Sequence, residues 1–286
     1  GSGRSLPERI GALSLIKLIK LMFELFKSGW RDIFSALKGY ELAGVLGWQD
    51  IRQRYRRSSF GPFWLTISMG VLIGALGLIF GNLFGTPMKE FLPFLTIGLI
   101  LWTLITTAIN EGCTGFTAAE AMIKQISLPL FTHILRVLWR NLIIFAHNLV
   151  IFPLVLLVFW VPLSSTALLA IVGLVLLMLN LSWMALLLGV FCTRYRDMPQ
   201  IITNLLQVFF YLTPIIWMPG LLPKRASILV LNANPFFHLI EIVRAPLLGT
   251  LPSALNWQVG IVLAMAGWLF TLVFYGRFRS RIAYWL

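Results

Sequence analysis

Charged and apolar positions follow two different rhythms along this chain. Between about residues 10 and 38 a charge recurs at almost every turn, with Lys17, Lys20, Glu24, Lys27, Arg31 and Lys38 three, four or seven residues apart. These share one helical face, and Leu15, Leu18, Met22, Leu25 and Phe26 occupy the other. A membrane-crossing helix needs about 20 apolar residues, so this amphipathic segment is expected to lie in the interface plane or to pack as a solvated helix on a partner. A second short helix, 41 to about 57, carries Leu42, Val45, Leu46, Ile51 and Tyr55 along one side. The rhythm changes at residues 48–64, WQDIRQRYRRSSFGPFW. Four arginines, Arg52, Arg54, Arg56 and Arg57, give way at Gly61-Pro62 to an apolar run without charge until Lys89. A basic cluster against a long apolar run marks the cytoplasmic mouth of a membrane helix.

The pattern predicts an all-α membrane protein. Residues 4–60 form cytoplasmic interface helices, and 61–286 form a domain of six spans. These cover about 63–84, 91–109, 138–160, 166–191, 201–217 and 259–275, with both termini cytoplasmic. The five-residue turn Val161 to Ser165 makes the third and fourth spans antiparallel neighbours. Between spans five and six, 221–232 and 235–248 are apolar yet too short to cross, and read as two re-entrant half-helices at the outer face. Asn234 supplies an N-cap, Pro235 a first helical position and Gly249 a C-terminal cap. His238, Glu241 and Arg244 share the second half-helix at three-residue spacing, which suits a local Glu241–Arg244 pair or an outer gate built from these residues with Asn234 and Pro235. Gly70, Gly74, Gly77, Gly81 and Gly85 line one side of the first span, a face for close helix packing within the chain or against another copy.

Composition agrees with this reading. Hydrophobic residues are 59% and charged residues 12% of the chain, whereas a soluble domain carries about 25% charged residues. The net charge of +13 does not point to nucleic acid, because 19 of the 23 Lys and Arg fall on one side of the predicted topology. Cys113 and Cys192 have no metal-type spacing and read as reduced thiols at cytoplasmic helix ends. Gly1-Ser2-Gly3 reads as a cloning scar and is left aside.

The missing chemistry is informative. Apart from His147, the predicted spans hold no ionisable group near mid-membrane, where a proton- or sodium-coupled transporter carries its coupling ion. His147 and Asn148 suit an interhelical hydrogen-bonding pair better than a relay. No GxxxxGK[ST] sequence supplies a P-loop, and no catalytic constellation or metal-ligand pattern is present. A polytopic chain without its own energy source is either a passive channel or a subunit driven by a partner. The link between spans two and three favours the driven subunit. It contains a short helix, 117–126, on which Glu120, Ala121, Met122, Lys124 and Ile126 are available to dock in a partner's groove, or to form a simple re-entry elbow.

Residues 48–64 resemble the entry signature of ABC-2-type polysaccharide export permeases: an acidic residue, R-Y-R, a serine, and a Gly-Pro-x-Trp opening. Arg194-Tyr195-Arg196-Asp197, Leu212-Thr213-Pro214-Ile215-Ile216-Trp217 and Asn234-Pro235 follow in that family's order, ahead of a final Arg244-Ala245-Pro246-Leu247-Leu248-Gly249. The resemblance covers about residues 40–286, and is closest to the membrane subunits of O-antigen and related glycan exporters. Glu120 stands where that family commonly has asparagine.

The resemblance implies a homodimer bound to two copies of a separate P-loop ATPase, which holds ATP and Mg, with no cofactor on this chain. It also implies an inner-membrane location and a polyprenyl-diphosphate-linked polysaccharide as cargo. Arg52, Arg54, Arg56 and Arg57 then become candidates for the diphosphate, which guanidinium geometry suits, beside their role in fixing topology. Trp64, Phe80, Phe84, Phe94, Trp102, Phe209, Phe210 and Tyr211 become candidates for a glycan path, beside core or interfacial packing. Teichoic acid, capsule, another lipid or a drug are alternative cargoes. A membrane-embedded glycosyl- or acyltransferase is the alternative of another class.

Overall fold

The computed structural model describes residues 6–56, 63–221 and 230–286, with side chains outside 6–16, 18, 19, 55 and 221. Among these the chain is helical and no strand occurs. Two helices lead, α1 (Leu6–Lys38) and α2 (Tyr40–Tyr55). Then follow α3 (Phe63–Phe84), α4 (Met88–Cys113), the short α5 (Glu120–Gln125), α6 (Phe131–Leu149) and α7 (Ile151–Val158). The chain ends with α8 (Leu169–Arg194), α9 (Met198–Leu212), α10 (Pro235–Leu247) and α11 (Ala254–Trp285).

Among the described residues, five segments are long and apolar enough to cross a membrane: α3, α4, α6 with α7 (Phe131–Val158), Ser165–Arg194 and α11. The fifth predicted span, 201–217, is instead a 15-residue helix, α9. At about 1.5 Å per residue it reaches about 22 Å, short of a hydrocarbon core of about 30 Å. Pro214 explains the stop. It has no N–H for the helix, and it pushes Thr213 into the extended region, at φ −91° and ψ 134°. Pro153 acts similarly in the third span. Its ring conflicts with the carbonyl of Leu149, and the helix breaks at Val150 between α6 and α7.

Three predicted spans continue past the charges that seemed to end them. Glu111 lies within α4, Arg136 and Arg140 within α6, and Arg277, Arg279 and Arg281 within α11. Several of these charges turn sideways to partners on neighbouring helices, as described below, so they need not end a helix.

The core is centred on α4. In its apolar stretch 78% of positions are buried, against 11% in α3. The predicted glycine face of α3 divides accordingly. Gly77 and Gly81 meet Leu92 and Met88 of α4, whereas a β-carbon at Gly70 or Gly74 would meet nothing among the described residues. Elsewhere glycine permits backbone contact. A β-carbon at Gly173 would strike the Ile242 carbonyl where α8 meets α10, and one at Gly29 would stand 2.7 Å from the Leu272 carbonyl where α1 crosses α11.

Asp32 fixes that crossing. Its side chain is 4% exposed and accepts hydrogen bonds from the Phe131 and Leu130 N–H groups (3.0 and 3.3 Å) and from the Tyr275 hydroxyl (2.5 Å). Arg279 stands 3.5 Å away. The first helix thus caps the start of α6, whose first N–H groups have no intrahelical partner, and anchors α11. Around it α1 keeps Phe23, Trp30, Phe34 and Leu37 exposed. The expected apolar face is split between two surroundings: Leu25 and Phe26 are half-buried, while Met22 is exposed. Cys113 and Cys192, distant in sequence, are both buried, side by side between α4 and α8.

Candidate functional site

The arginine-rich stretch is held by acids that the charge pattern alone did not single out. Asp50 in α2 accepts from Arg136 Nε at 2.7 Å and from Arg140 Nη1 at 2.6 Å, both guanidinium groups rising from α6 one turn apart. Glu111 of α4 accepts from Arg140 Nη2 at 2.7 Å and Asn141 Nδ2 at 2.7 Å, and reaches Arg54 Nη2 at 3.4 Å. Three helices are thereby locked through two carboxylates. Burial raises the Asp50 carboxyl, but the hydrogen bonds and positive charge of Arg136, then of Arg140, outweigh it and hold the group below 3.8. A signal existed in the sequence: Asp50 stands alone among arginines, and Arg136 and Arg140 lie four residues apart.

Of the four predicted diphosphate residues, Arg52 and Arg56 are exposed and make no ion pair among the described residues. Arg54 is half-exposed and shared with Glu111. Arg57 lies outside the described residues. The stretch therefore combines a structural anchor, Asp50, with free basic groups around it.

A second cluster sits at the opposite end of α4. Phe94 and Glu111 are 17 positions apart on that helix, about 26 Å. The Asn234 side chain caps α10 by accepting from Phe236 N–H at 3.0 Å and Phe237 N–H at 3.3 Å, with Pro235 at the first helical position. Its amide also donates to Thr213 Oγ1 at 2.8 Å. The His238 ring pairs with Asn256 at 2.7 Å and with the Asn232 carbonyl at 3.1 Å. Arg244 is fully buried. It donates to Glu241 from Nε at 3.0 Å, donates to the Pro214 carbonyl at 2.6 Å and lies 4.0 Å over the Phe94 ring. The local Glu241–Arg244 pair is present, and its larger effect is to pin the bend after α9 onto α10. Gly249 adopts φ 83°, as its capping position requires.

The predicted aromatic residues fall into separate groups. Phe80 and Phe84 stack at 5.6 Å beside Phe91, on α3 and α4. Trp102, Phe209 and Phe210 gather around Phe236, with Trp102–Phe210 at 5.9 Å and Phe209–Phe236 at 5.1 Å. Phe94 and Trp102 are core residues in this chain, 6% and 7% exposed. Tyr211 and Trp64 are exposed. Neither His147 nor Asn148 makes the expected interhelical hydrogen bond among the described residues. The His147 ring bonds to the Ile143 carbonyl of its own helix at 2.8 Å and meets the Phe63 ring edge-on.

One feature was not anticipated. On α9 the residues Gln200, Asn204, Gln207 and Tyr211, at spacings of four, three and four, are all exposed and form a polar stripe beside the equally exposed Ile201, Leu205 and Val208. Gln200 donates to Asn204 at 3.2 Å, and next to them Thr203 donates to Asn110 of α4 at 3.0 Å. The sequence carried the spacing, but a search for charge passes over neutral amides.

The α5 helix stands apart from these. Glu120 and Lys124 pair at 2.7 Å, which holds the Glu120 carboxyl below its ordinary value. Ala121, Lys124 and Ile126 are exposed, while Met122 is half-buried.

With five helical segments long and apolar enough to cross a membrane among the described residues, the fold is that of a multi-pass helical membrane protein. The chain belongs to the ABC-2 type transporter family, whose model matches residues 41–248. It is similar to the O-antigen export system permease protein RfbA of Myxococcus xanthus, 25% identical over 238 residues, covering 80% of this chain and 84% of that protein. It is also similar to the O-antigen export system permease protein RfbA of Klebsiella pneumoniae, 22% identical over 238 residues, covering 82% of this chain and 89% of that protein.

Proposed function

We propose that this chain is the membrane subunit of an ATP-driven exporter that carries a polyprenyl-diphosphate-linked polysaccharide, of the O-antigen kind, across the inner membrane. Two copies form the passage, and two copies of a separate P-loop ATPase bind at α5 and supply the energy. The family and the export function named for its relatives support this reading.

The observation that carries it is the polar stripe of α9. Moving an amide from water to a hydrocarbon without partners costs about 4–8 kcal/mol. Gln200 and Asn204 share one hydrogen bond, and the Gln207 amide has no hydrogen-bond partner among the described residues, which supports a wet surface rather than lipid. Sugar hydroxyls and water satisfy such amides, and the exposed ring of Tyr211 adds an apolar face for a pyranose. The sparsely packed α3, open at Gly70 and Gly74, is the natural partner wall in the second copy. Arg52, Arg54, Arg56 and Arg57 offer guanidinium groups to the carrier diphosphate at the entry.

The test is reconstitution with the ATPase and a lipid-linked glycan in proteoliposomes. Asn204→Leu with Gln207→Leu should lower glycan translocation at least tenfold while dimer and ATPase assembly persist. Unchanged translocation in that variant would mean that α9 faces lipid, and the reading would fail.

A further inference from the structure

Among the described residues, a groove of about 630 Å³ opens beside the ends of α8 and α11, lined by Arg194, Arg281, Phe274, Phe278, Tyr284 and Trp285 among others. We propose that it binds an anionic phospholipid of the leaflet in which these two helices end, phosphate against the arginines and acyl chain along α11. The proposal goes beyond the export reading and needs only that the bundle sits in a bilayer.

Charge comes first. Arg194 and Arg281 are exposed and make no ion pair among the described residues. On the same helix Arg279 turns the other way, to Asp32 and the Ser28 carbonyl. α11 therefore separates its basic groups onto two faces, one neutralised within the protein and one left open. The Arg194 guanidinium lies 5.6 Å over the Trp285 ring, which orients its donors without consuming them. Two guanidinium groups at a membrane edge suit a phosphate, and basic pockets between spanning helices are known sites for anionic headgroups.

The apolar part decides the class of ligand. Phe270, Phe274, Phe278 and Trp285 form a column on α11, with successive ring centroids at 6.0, 4.8 and 5.7 Å. Its ends are 15 positions apart, about 22 Å, and the far member Phe270 is 60% exposed. It thus runs from the helix end well into the spanning stretch. A free phosphate uses none of that strip, and a soluble ATPase domain cannot follow it into the bilayer. A phospholipid matches both parts at once.

Native mass spectrometry of the purified full-length chain tests this, using phosphatidylglycerol, phosphatidylcholine and inorganic phosphate as probes. Phosphatidylglycerol should be retained in preference to phosphatidylcholine. Arg194→Gln with Arg281→Gln should weaken its retention by roughly thirtyfold. Arg277→Gln, on α11 but outside the groove lining, should leave it within about twofold. Arg194→Lys with Arg281→Lys keeps the charge and should retain an intermediate affinity, which separates lost binding from lost folding. Equal retention of both lipids, or no loss in the double glutamine variant, overturns the proposal. So does release of the lipid by millimolar phosphate, or by an added ATPase whose docking needs the same arginines. Each readout is lipid occupancy, so a failure here is distinct from a failure of glycan export.

Discussion

Arg244 donates a 2.6 Å hydrogen bond to the carbonyl of Pro214, joining a fully buried guanidinium on α10 to the bend that ends α9. The proline stops the helix, and the arginine decides where the chain goes afterwards. Glu241 balances the charge and the Phe94 ring covers it, so the group is paired on several sides.

Removing one member of this arrangement leaves the others buried without compensation. Arg244→Met should destabilise the protein by about 3–5 kcal/mol, because it strands Glu241 and the Pro214 carbonyl. Adding Glu241→Gln should recover part of that loss. Thermal unfolding in detergent, followed by circular dichroism across the double-mutant cycle, measures both. An Arg244→Met protein as stable as the parent would contradict the clamp.

The Asp50 pair predicts a pH dependence with a definite sign. Its folded pKa lies below the ordinary 3.8, so its contribution to stability is fully present above that value and disappears as pH falls through the lower, folded one. Asp50→Asn should therefore melt earlier than the parent at pH 7. The two melting curves should converge on acidification below about 3.8, with no change in the gap between pH 6 and 8. A gap that persists at the acid end would assign the effect to something other than this carboxylate.

At the α1–α11 crossing, a β-carbon on Gly276 would collide with the Leu25 carbonyl. Both sides are backbone, so little can yield. Gly276→Ala should cost about 1–3 kcal/mol and loosen α1 from the bundle. Limited proteolysis should then cleave within α1 faster than in the parent, while the spanning helices remain protected. Tyr275→Phe, which removes one donor from buried Asp32, should act in the same direction at about 1–3 kcal/mol.

Exposed Ile126 at the end of α5 offers a test of energy coupling that leaves stability aside. It is 52% exposed and makes no core contact that a polar side chain would break. Ile126→Asp should leave melting within about 0.5 kcal/mol of the parent. In the reconstituted complex it should reduce glycan-dependent ATP hydrolysis severalfold. Normal coupling in that variant would remove α5 from the docking surface.

Much of the bundle was legible from hydropathy, because an uncharged apolar run of membrane length fits a bilayer far better than water. The first span, Phe63–Phe84, matched the expected bounds, and the Asn234 cap with Pro235 matched in its hydrogen bonds. What was not legible depended on partners distant in sequence. Helices that seemed to end at Arg136, Glu111 and Arg279 continue because Asp50, Arg140 and Asp32 meet those charges from other helices. Asp32 itself was invisible among the surface charges of α1, since its spacing says nothing of the α6 end that it caps. The bend at Pro214 was readable as a proline, but not as a helix end held by a guanidinium 30 residues later. The amide stripe of α9 lay in plain view, and only its exposure gave it meaning.

Asp32 and Tyr275 are separated by 243 residues, so the clasp between them ties α1 to α11 across most of the described chain. Closing so long a loop costs conformational entropy that no local contact offsets. The joint is therefore a late step of folding, made only once α11 has found its place beside α8, and α1 is the last helix to be secured.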